Sequence, residues 1–142
     1  MAEGLLREEL KLAGLQRKVQ VDSAGTHASQ PGHPADGRAQ RVCLREGIDL
    51  RKTRARQLVD QDFKRFDYLL AMDQTNSDWL TSACAREDRD RISLLGSWAR
   101  DAHLGDIPDP YYGSLVGFEE VLALLHKGID GFMTHLEQQV SA

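Results

Sequence analysis

The sequence predicts an α/β fold with a parallel β-sheet, formed by a single domain over residues 1–142. Short apolar runs typical of buried strands alternate with segments whose apolar residues recur at helical spacing. At 142 residues, the chain is long enough to bury one hydrophobic core. No internal repeat, low-complexity tract or linker divides it. These observations together favour one continuous α/β unit.

Composition and charge narrow the class of protein. Apolar residues make up 41% of the chain and charged residues 28%, both ordinary for a globular domain. The net charge of −4 disfavours nucleic acid or an anionic membrane surface as the main partner. No apolar run approaches the ~18 residues of a membrane span, and two cysteines are too few for a disulfide framework. We therefore predict a cytoplasmic protein that binds neither nucleic acid nor membrane.

The first half of the chain predicts a helix, a strand and a second helix. Apolar residues over positions 2–13 recur on one helical face, and Gly14 closes that helix. Residues 19–21 predict a short strand that runs into a turn. Gly47 follows the end of the second helix. The residues on the buried face of this helix are Ala35, Ala39, Val42 and Cys43.

The second half predicts two more strands and two helices. Residues 66–72 are apolar enough for a strand buried on both faces, and residues 92–95 predict another. Asp73 or Thr75 can cap the helix between them. The buried faces are Leu80 and Ala83 in that helix, and Phe118, Val121, Leu122, Leu125, Ile129, Phe132, Met133 and Leu136 in the last one.

The motif Asp109-Pro110-Tyr111-Tyr112-Gly113 suits protonation of a phenolic leaving group. Asp109 supplies a carboxylic acid, and the proline after it limits its backbone conformations. The two aromatic rings can flank a flat substrate. Taken alone, the motif is equally compatible with a surface Asp-Pro turn that carries two exposed tyrosines.

This motif resembles the general-acid loop of the low-molecular-weight protein-tyrosine phosphatases. Other blocks resemble the same family in the same order: residues 1–6 (MAEGLL), 21–26 (VDSAGT), 55–57 (ARQ), and 71–73 (AMD) with Asn76. The resemblance covers nearly the whole chain. It implies a three-layer α/β/α, flavodoxin-like fold with four parallel strands in the order 2-1-3-4.

In that family, a strand and a Cys-x5-Arg phosphate loop come immediately before the block that opens this chain. The cysteine attacks phosphorus, and the loop amides and arginine hold the phosphoryl oxygens. Cys43 and Cys84 do not fit this role, because Asp49 and Asp90 stand six positions after them, where arginine is needed. We expect both thiols to be small buried core groups. The resemblance thus implies an N-terminally truncated phosphatase that lacks its first, interior strand and is inactive as given.

The resemblance also implies roles for particular side chains. These are proton donation by Asp109, substrate binding by Tyr111 and Tyr112, and support of the phosphate loop by Ser23, Thr53, Asp73 and Asn76. Thr53 departs from the histidine that several relatives carry there, and helix capping explains Asp73 equally well. Ser29 and Gln30 stand where many relatives place an aromatic substrate wall. The substrate therefore stays open between a phosphotyrosine-containing protein and a small aryl phosphate.

The histidines show no metal-ligand spacing, and neither the residues nor the resemblance predicts a metal or another cofactor. Three functions are compatible with these features. The first is phosphotyrosine hydrolysis through a phosphocysteine, by a protein whose reading frame here starts at an internal methionine. The second is a pseudo-phosphatase that binds a partner. The third is an arsenate reductase of the same fold, which would need redox-active cysteines that Cys43 and Cys84 do not suggest.

The missing interior strand has a consequence for folding. Without it, the strands headed by Val19 and Tyr68 would stand roughly 10 Å apart, which is about two strand spacings. Both would then face the gap with unpaired backbone groups. We expect a chain of marginal stability, with either an unfilled strand position or a rearranged sheet.

Overall fold

Helices and parallel strands alternate along the chain, as the sequence predicts. The structure is a computed structural model that describes residues 1–100, 104–111 and 113–141. Within these ranges the elements are α1 (Ala2–Leu12), α2 (Gly37–Leu44), α3 (Asp62–Arg65), β1 (Leu69–Ala71), α4 (Gln74–Ala83), β2 (Ile92–Leu94) and α5 (Leu115–Ser141). Short 3₁₀ helices, Arg86–Arg91 and Leu95–Trp98, flank β2.

β1 and β2 form a parallel pair. Their register sets Leu69 beside Ile92 and Ala71 beside Leu94. Parallel neighbours need a crossover connection, which α4 supplies while it packs against both strands. The predicted α/β class with a parallel sheet is therefore confirmed. Both strands are shorter than predicted, and Leu95 already begins a 3₁₀ helix.

The predicted strand at residues 19–21 is wrong. In the described part of the chain these residues have no strand partner. The Val19 N–H instead donates to the Leu15 carbonyl at 3.2 Å, and the Val21 carbonyl accepts from Arg7 Nη2 at 2.7 Å. A strand exists only through its ladder of inter-strand hydrogen bonds. Here an open cleft lies between residues 19–21 and β1, so no ladder forms.

β1 lies between two apolar layers. Leu69 and Ala71 belong to a small core under α3 and α4, whereas Leu70 packs against a larger core formed by α1, α2 and α5. This alternation follows the two-residue period of a strand. All the predicted core residues of the last helix are buried: Phe118, Val121, Leu122, Leu125, Ile129, Phe132, Met133 and Leu136.

Several helix boundaries follow the predicted signals. Asp73 caps α4, since its side chain accepts from the Asn76 N–H at 2.8 Å. Gly14 and Gly47 follow α1 and α2 with φ values of +73° and +77°, the left-handed conformation that favours glycine after a helix. The prediction for Ala83 is wrong: it is exposed, and Cys84 is buried instead. No described helix is long and apolar enough to cross a membrane.

α5 approaches the 3₁₀ helix Leu95–Trp98 closely because it presents glycines there. A methyl group at Gly131 would overlap the carbonyl oxygen of Trp98, which is part of the backbone and cannot rotate away. Near the start of the same helix, a methyl group at Gly117 would have only the Pro110 Cβ nearby, at 3.9 Å.

We expect Gly131→Ala to lower the free energy of unfolding by about 1–3 kcal/mol, because overpacking displaces backbone. The matched change Gly117→Ala should leave it unchanged or raise it by up to about 1 kcal/mol, because alanine favours helix. Urea denaturation of both variants measures this. Equal effects of the two substitutions would contradict the close helix approach.

Candidate functional site

The segment that carries Asp109 is fixed at the carboxyl end of β1. The Ile107 N–H donates to the Met72 carbonyl at 2.7 Å, just beyond the strand. One residue earlier, Asp106 Oδ1 accepts from the Gln74 N–H at 3.0 Å, in the first turn of α4. Ligands of open α/β sheets bind outside the carboxyl ends of the strands. The predicted proton donor therefore lies at the edge where such a site is expected.

Asp109 organises its own loop. Its Oδ1 accepts from the Tyr111 N–H at 2.9 Å, and the Gly113 N–H donates to the Pro110 carbonyl at 2.7 Å. The Asp-Pro turn anticipated from the sequence is therefore present. Asp109 is exposed, and Tyr111 is 57% exposed, so both side chains are accessible to a substrate. Tyr112, the other predicted substrate-binding ring, lies outside the described residues.

Arg38 anchors this loop from the first turn of α2, a role that the sequence analysis did not assign to it. Its Nη1 donates to the Gly113 carbonyl at 2.5 Å and its Nη2 to the Tyr111 carbonyl at 2.8 Å. Asp36 orients the guanidinium, with Nε to Oδ1 at 3.0 Å and Nη2 to Oδ2 at 2.9 Å. Hydrogen bonds from Arg38 lower the pKa of the Asp36 carboxyl. The guanidinium carbon also lies 4.7 Å from the ring centre of Phe118.

A signal for Arg38 does exist in the sequence. A cation in the first turn of a helix opposes the helix dipole, so an arginine two residues after an Asp N-cap needs another reason to be there. The structure supplies that reason. Arg38 binds the carbonyls of Tyr111 and Gly113, which lie 73 and 75 residues further along the chain.

A large cleft reaches Met72, the residue whose carbonyl accepts from the Ile107 N–H. Its volume is about 1010 Å³, and it is lined on one side by residues 18–27 and on the other by residues 66–72. Ser23 and Asn76 line this cleft, and Asp73 adjoins it by capping the Asn76 N–H. Asp109 is not among the lining residues. The structure therefore brings Ser23 and Asn76 to one cleft, with Asp73 bonded to Asn76, whereas the Asp109 side chain lies outside the lining.

Ser23 is held by α1. Its hydroxyl donates to Glu3 Oε1 at 2.6 Å, and its N–H donates to Asp22 Oδ1 at 2.8 Å. Glu3 lies in the first turn of α1, where the helix dipole favours a carboxylate. Thr53 is placed differently: it borders a separate cleft of about 570 Å³ together with Glu3 and Asp22. The predicted supporting group is thus divided between two clefts.

The loop at residues 25–28 is pinned by Gln57. The Gln57 Nε2 donates to the Thr26 carbonyl at 2.7 Å, and its Oε1 accepts from the Ala28 N–H at 2.8 Å. The loop also carries His27, whose ring meets the Trp79 ring edge-on with centres 5.8 Å apart. These rings form an aromatic surface near the cleft, although Ser29 and Gln30 are not aromatic. The contact between His27 and Trp79 could not be predicted from local sequence patterns, because the two residues lie on separate elements.

A buried carboxylate, Asp62, holds part of the wall of the large cleft in place. Asp62 is 4% exposed, and Arg56 contacts both of its oxygens, at 2.9 and 3.1 Å. Burial alone would raise the pKa of Asp62, but hydrogen bonds from Arg56 and from the Val59 N–H outweigh it, so the pKa is lowered. Arg56 also pairs with Asp22 at 3.2 Å. The ionised pair therefore ties α3 to the segment that borders the cleft.

Comparison with known proteins identifies close relatives. The family model described as low molecular weight phosphotyrosine protein phosphatase matches residues 1–142. The low molecular weight protein-tyrosine-phosphatase YfkJ of Bacillus subtilis is 34% identical over 139 residues, which cover 98% of this chain and 88% of that protein. The human low molecular weight phosphotyrosine protein phosphatase is 37% identical over 123 residues, covering 85% of this chain and 77% of its own.

Solved structures agree with the sequence comparison. The crystal structure of a protein tyrosine phosphatase from Entamoeba histolytica, with Hepes in its active site, superimposes with a TM-score of 0.92 at 30% identity. The match covers 97% of this chain and 88% of that one. The crystal structure of Bacillus subtilis YfkJ gives a TM-score of 0.90 at 34% identity, over 97% of this chain and 86% of that one.

The Arg38 anchor predicts a local effect of mutation. Arg38→Ala removes two charge-assisted hydrogen bonds to the loop, each worth ~1.5–3 kcal/mol. We expect the Gly113 amide to exchange with solvent roughly tenfold faster or more, since ~1.4 kcal/mol corresponds to a factor of ten. Hydrogen exchange followed by NMR measures this.

Arg45→Ala is the matched control. Arg45 lies at the other end of α2, as its C-cap, and reaches α5, but its 2.6 Å pair with Glu119 is about half exposed at both ends. Exposed pairs contribute little, so this change should leave Gly113 exchange unaltered. If Arg38→Ala also left that rate unchanged, the anchoring role would be ruled out.

Proposed function

The chain belongs to the low molecular weight phosphotyrosine protein phosphatase family, and from that premise we propose that its site serves phosphotyrosine hydrolysis through a phosphocysteine. The observation that carries the proposal is the exposed Asp109 carboxyl, on a loop fixed by Arg38 at the carboxyl end of β1. This is where an acid can meet the leaving oxygen of a substrate bound at the cleft.

Asp109 would act twice. A phenolate leaving group has a pKa of ~10, so it departs faster at neutral pH when an acid protonates it. Asp109 would give its proton to the ester oxygen as the phosphorus–oxygen bond breaks and a cysteine sulfur takes the phosphoryl group. The resulting carboxylate would then take a proton from the water that attacks phosphocysteine, which releases phosphate and restores the thiolate.

We further propose that these 142 residues hold the acid without the nucleophile. Cys43 is 0% exposed in the main core, and burial raises the pKa of its thiol. Cys84 is buried in the other core. Asp49 and Asp90 stand six positions after the two cysteines, where a phosphate-binding arginine is needed. A thiolate and a phosphate clamp would therefore have to come from outside this set of residues.

The substrate proposed is a phosphotyrosine-containing protein or a small aryl phosphate. The exposed Tyr111 ring and the aromatic surface of His27 and Trp79 support it, because flat rings pack favourably against aromatic side chains. Substrate binding by Tyr112 stays a prediction. Among the supporting residues proposed, Ser23 and Asn76 line the cleft, whereas Asp73 is engaged as a helix cap and Thr53 borders the other cleft.

A second candidate, a partner-binding pseudo-phosphatase, is favoured by the open cleft between residues 18–27 and 66–72. An arsenate reductase is not favoured. Cys43 and Cys84 belong to separate buried cores, so they cannot exchange a disulfide with each other in this fold. The cytoplasmic location and the absence of a cofactor remain predictions from the sequence.

The chain of 142 residues should not hydrolyse nitrophenyl phosphate above the rate in buffer, because it offers no thiolate beside a phosphate clamp. A continuous absorbance assay on the purified protein measures this, with Cys43→Ser and Cys84→Ser as controls. Saturable turnover that either serine variant abolishes would contradict the proposal and would point to a different active site.

The acid role is tested in a chain extended at its N-terminus by an apolar strand and a Cys-x5-Arg loop. There, Asp109→Asn should slow hydrolysis of an alkyl-substituted phenyl phosphate by roughly 10²–10⁴-fold. It should slow that of nitrophenyl phosphate less, because nitrophenolate is already a stable anion and needs less protonation. Steady-state kcat values for both substrates measure the difference.

Asp106→Asn is the matched control for this test, since Asp106 is a nearby carboxylate that binds the Gln74 N–H. It should change the rates for the two substrates by the same factor. An equal loss for both substrates in Asp109→Asn would remove the acid role from Asp109.

A further inference from the structure

We propose that the second cleft, the one of about 570 Å³ that Thr53 borders, binds acidic side chains that flank the phosphotyrosine of a protein substrate. The inference rests on the proposed function and narrows it, since it favours a phosphotyrosine-containing protein over a small aryl phosphate. It follows from an unpaired edge of Arg54, from a surplus of positive charge in this cleft, and from the place of the cleft beside the larger one.

A basic run at residues 51–56 divides into two neutralised and two unneutralised side chains. Its four cations are Arg51, Lys52, Arg54 and Arg56. Arg51 binds Asp49 through Nε at 3.0 Å and Nη2 at 2.8 Å, and Arg56 binds the buried Asp62. Lys52 and Arg54 have no carboxylate within ion-pair distance in the described part of the chain. Both are exposed and line the second cleft.

Arg54 is held by backbone, with one edge of its guanidinium left over. Its Nη1 donates to the Arg51 carbonyl at 2.6 Å and to the Thr53 carbonyl at 3.0 Å. Its Nε and Nη2 have no hydrogen-bond partner among the described residues. This is the edge through which Arg51 binds Asp49, and it suits two parallel bonds to one carboxylate. Because the side chain is already oriented, it loses less freedom when an anion binds.

The charges that line the second cleft leave a positive surplus. Three of its four carboxylates already have an arginine partner: Glu3 with Arg7, Asp22 with Arg56, and Asp49 with Arg51. Within the described ranges, Glu8 is the carboxylate of the lining that lacks such a partner, whereas Lys11, Lys52 and Arg54 are cations that lack one. Three unneutralised cations therefore face one unneutralised carboxylate, and the cleft attracts anions.

The second cleft adjoins the larger one. Glu3 and Asp22 line both clefts, and Glu3 accepts from the Ser23 hydroxyl. From Glu3 to Lys11 the cleft follows α1 for about 12 Å, at ~1.5 Å per residue. This length corresponds to about three to four residues in extended conformation. A substrate segment that leaves the larger cleft near Ser23 can therefore bring acidic side chains to these cations.

The lining favours an acidic peptide over other anions. Among the described residues, no aromatic ring lines the second cleft, so it offers no surface on which a nucleobase could stack. The cations come from two separate elements, with Lys11 on α1 and the other two on the basic run. Several carboxylates spaced along a chain can meet such separated charges together, which a single compact anion does less well.

The binding test uses fluorescein-labelled acetyl-GSEEDEEDGS-amide, titrated with the 142-residue protein at low salt and followed by fluorescence anisotropy. The control peptide carries glutamine and asparagine in place of glutamate and aspartate. We expect saturable binding of the acidic peptide alone. Its affinity should fall as salt is added, because exposed charges are screened beyond ~10 Å at 0.1 M ionic strength.

Two variants locate the binding site. Arg54→Gln and Lys52→Gln should each weaken binding roughly threefold or more, the effect of losing one exposed ion pair. Arg86→Gln is the matched control, because Arg86 is exposed, carries the same charge and lines neither cleft; it should leave the affinity unchanged. If Arg54→Gln disturbs the turn that its Nη1 holds, Lys52→Gln still decides, since Lys52 donates no hydrogen bond in the described residues.

A kinetic test separates this site from the acid. In the chain extended by a strand and a Cys-x5-Arg loop, Arg54→Gln should raise KM for an acidic phosphotyrosine peptide by the factor seen in binding. It should leave kcat for that peptide unchanged, together with both constants for nitrophenyl phosphate. Asp109→Asn should instead lower kcat for both kinds of substrate. If the extended chain hydrolyses neither substrate, the hydrolysis proposal fails while the binding result stands.

Equal binding of the charged and uncharged peptides, or no binding, would overturn the proposal. A loss of affinity in Arg86→Gln as large as in Arg54→Gln would also overturn it, because the attraction would then depend on net charge alone. Tighter binding of inorganic tripolyphosphate than of the acidic peptide, lost in Arg54→Gln, would assign the cleft to a small phosphate compound and would remove the peptide from it.

Discussion

The structure depends on backbone pairing along β1. On one edge, β1 is paired with β2 in parallel register; on the other it faces the cleft. Apolar helices cover both faces of this strand, as they would for an interior strand. In the described residues it nevertheless has one strand partner, as an edge strand does. A buried backbone group without a partner costs ~1–3 kcal/mol, which is large beside the ~5–15 kcal/mol that stabilises an ordinary domain.

The carboxyl end of β1 holds the segment with the proposed acid. Ile107 bonds to the residue after β1, and Arg38 holds the loop that follows, so Asp109 has a defined position without help from a ligand. The large cleft is lined by Ser23 and Asn76. A fixed loop with an exposed carboxyl and an open cleft, both adjoining Met72, are the features that connect the family assignment to the proposed phosphotyrosine hydrolysis.

The sequence predicted features whose interaction partners are close along the chain or face one common core, and it missed features whose partners lie on distant elements. The stripe of α5 and the Asp73 cap were predictable because their partners lie within a few residues or face one common core. Residues 19–21 were not, because a strand needs a neighbour and local β-propensity cannot provide one. The contacts of Arg38 with the loop at 111–113, and of His27 with Trp79, join distant elements. No local pattern encodes them.

Thermal unfolding of the purified 142-residue monomer, followed by circular dichroism, tests most directly whether the free edge of β1 limits stability. The account predicts a midpoint below ~60 °C, a temperature near the upper end of the range for mesophilic domains. It also predicts a higher midpoint for the chain extended by an apolar strand. A cooperative transition of the unextended monomer above ~60 °C, with no gain on extension, would contradict it.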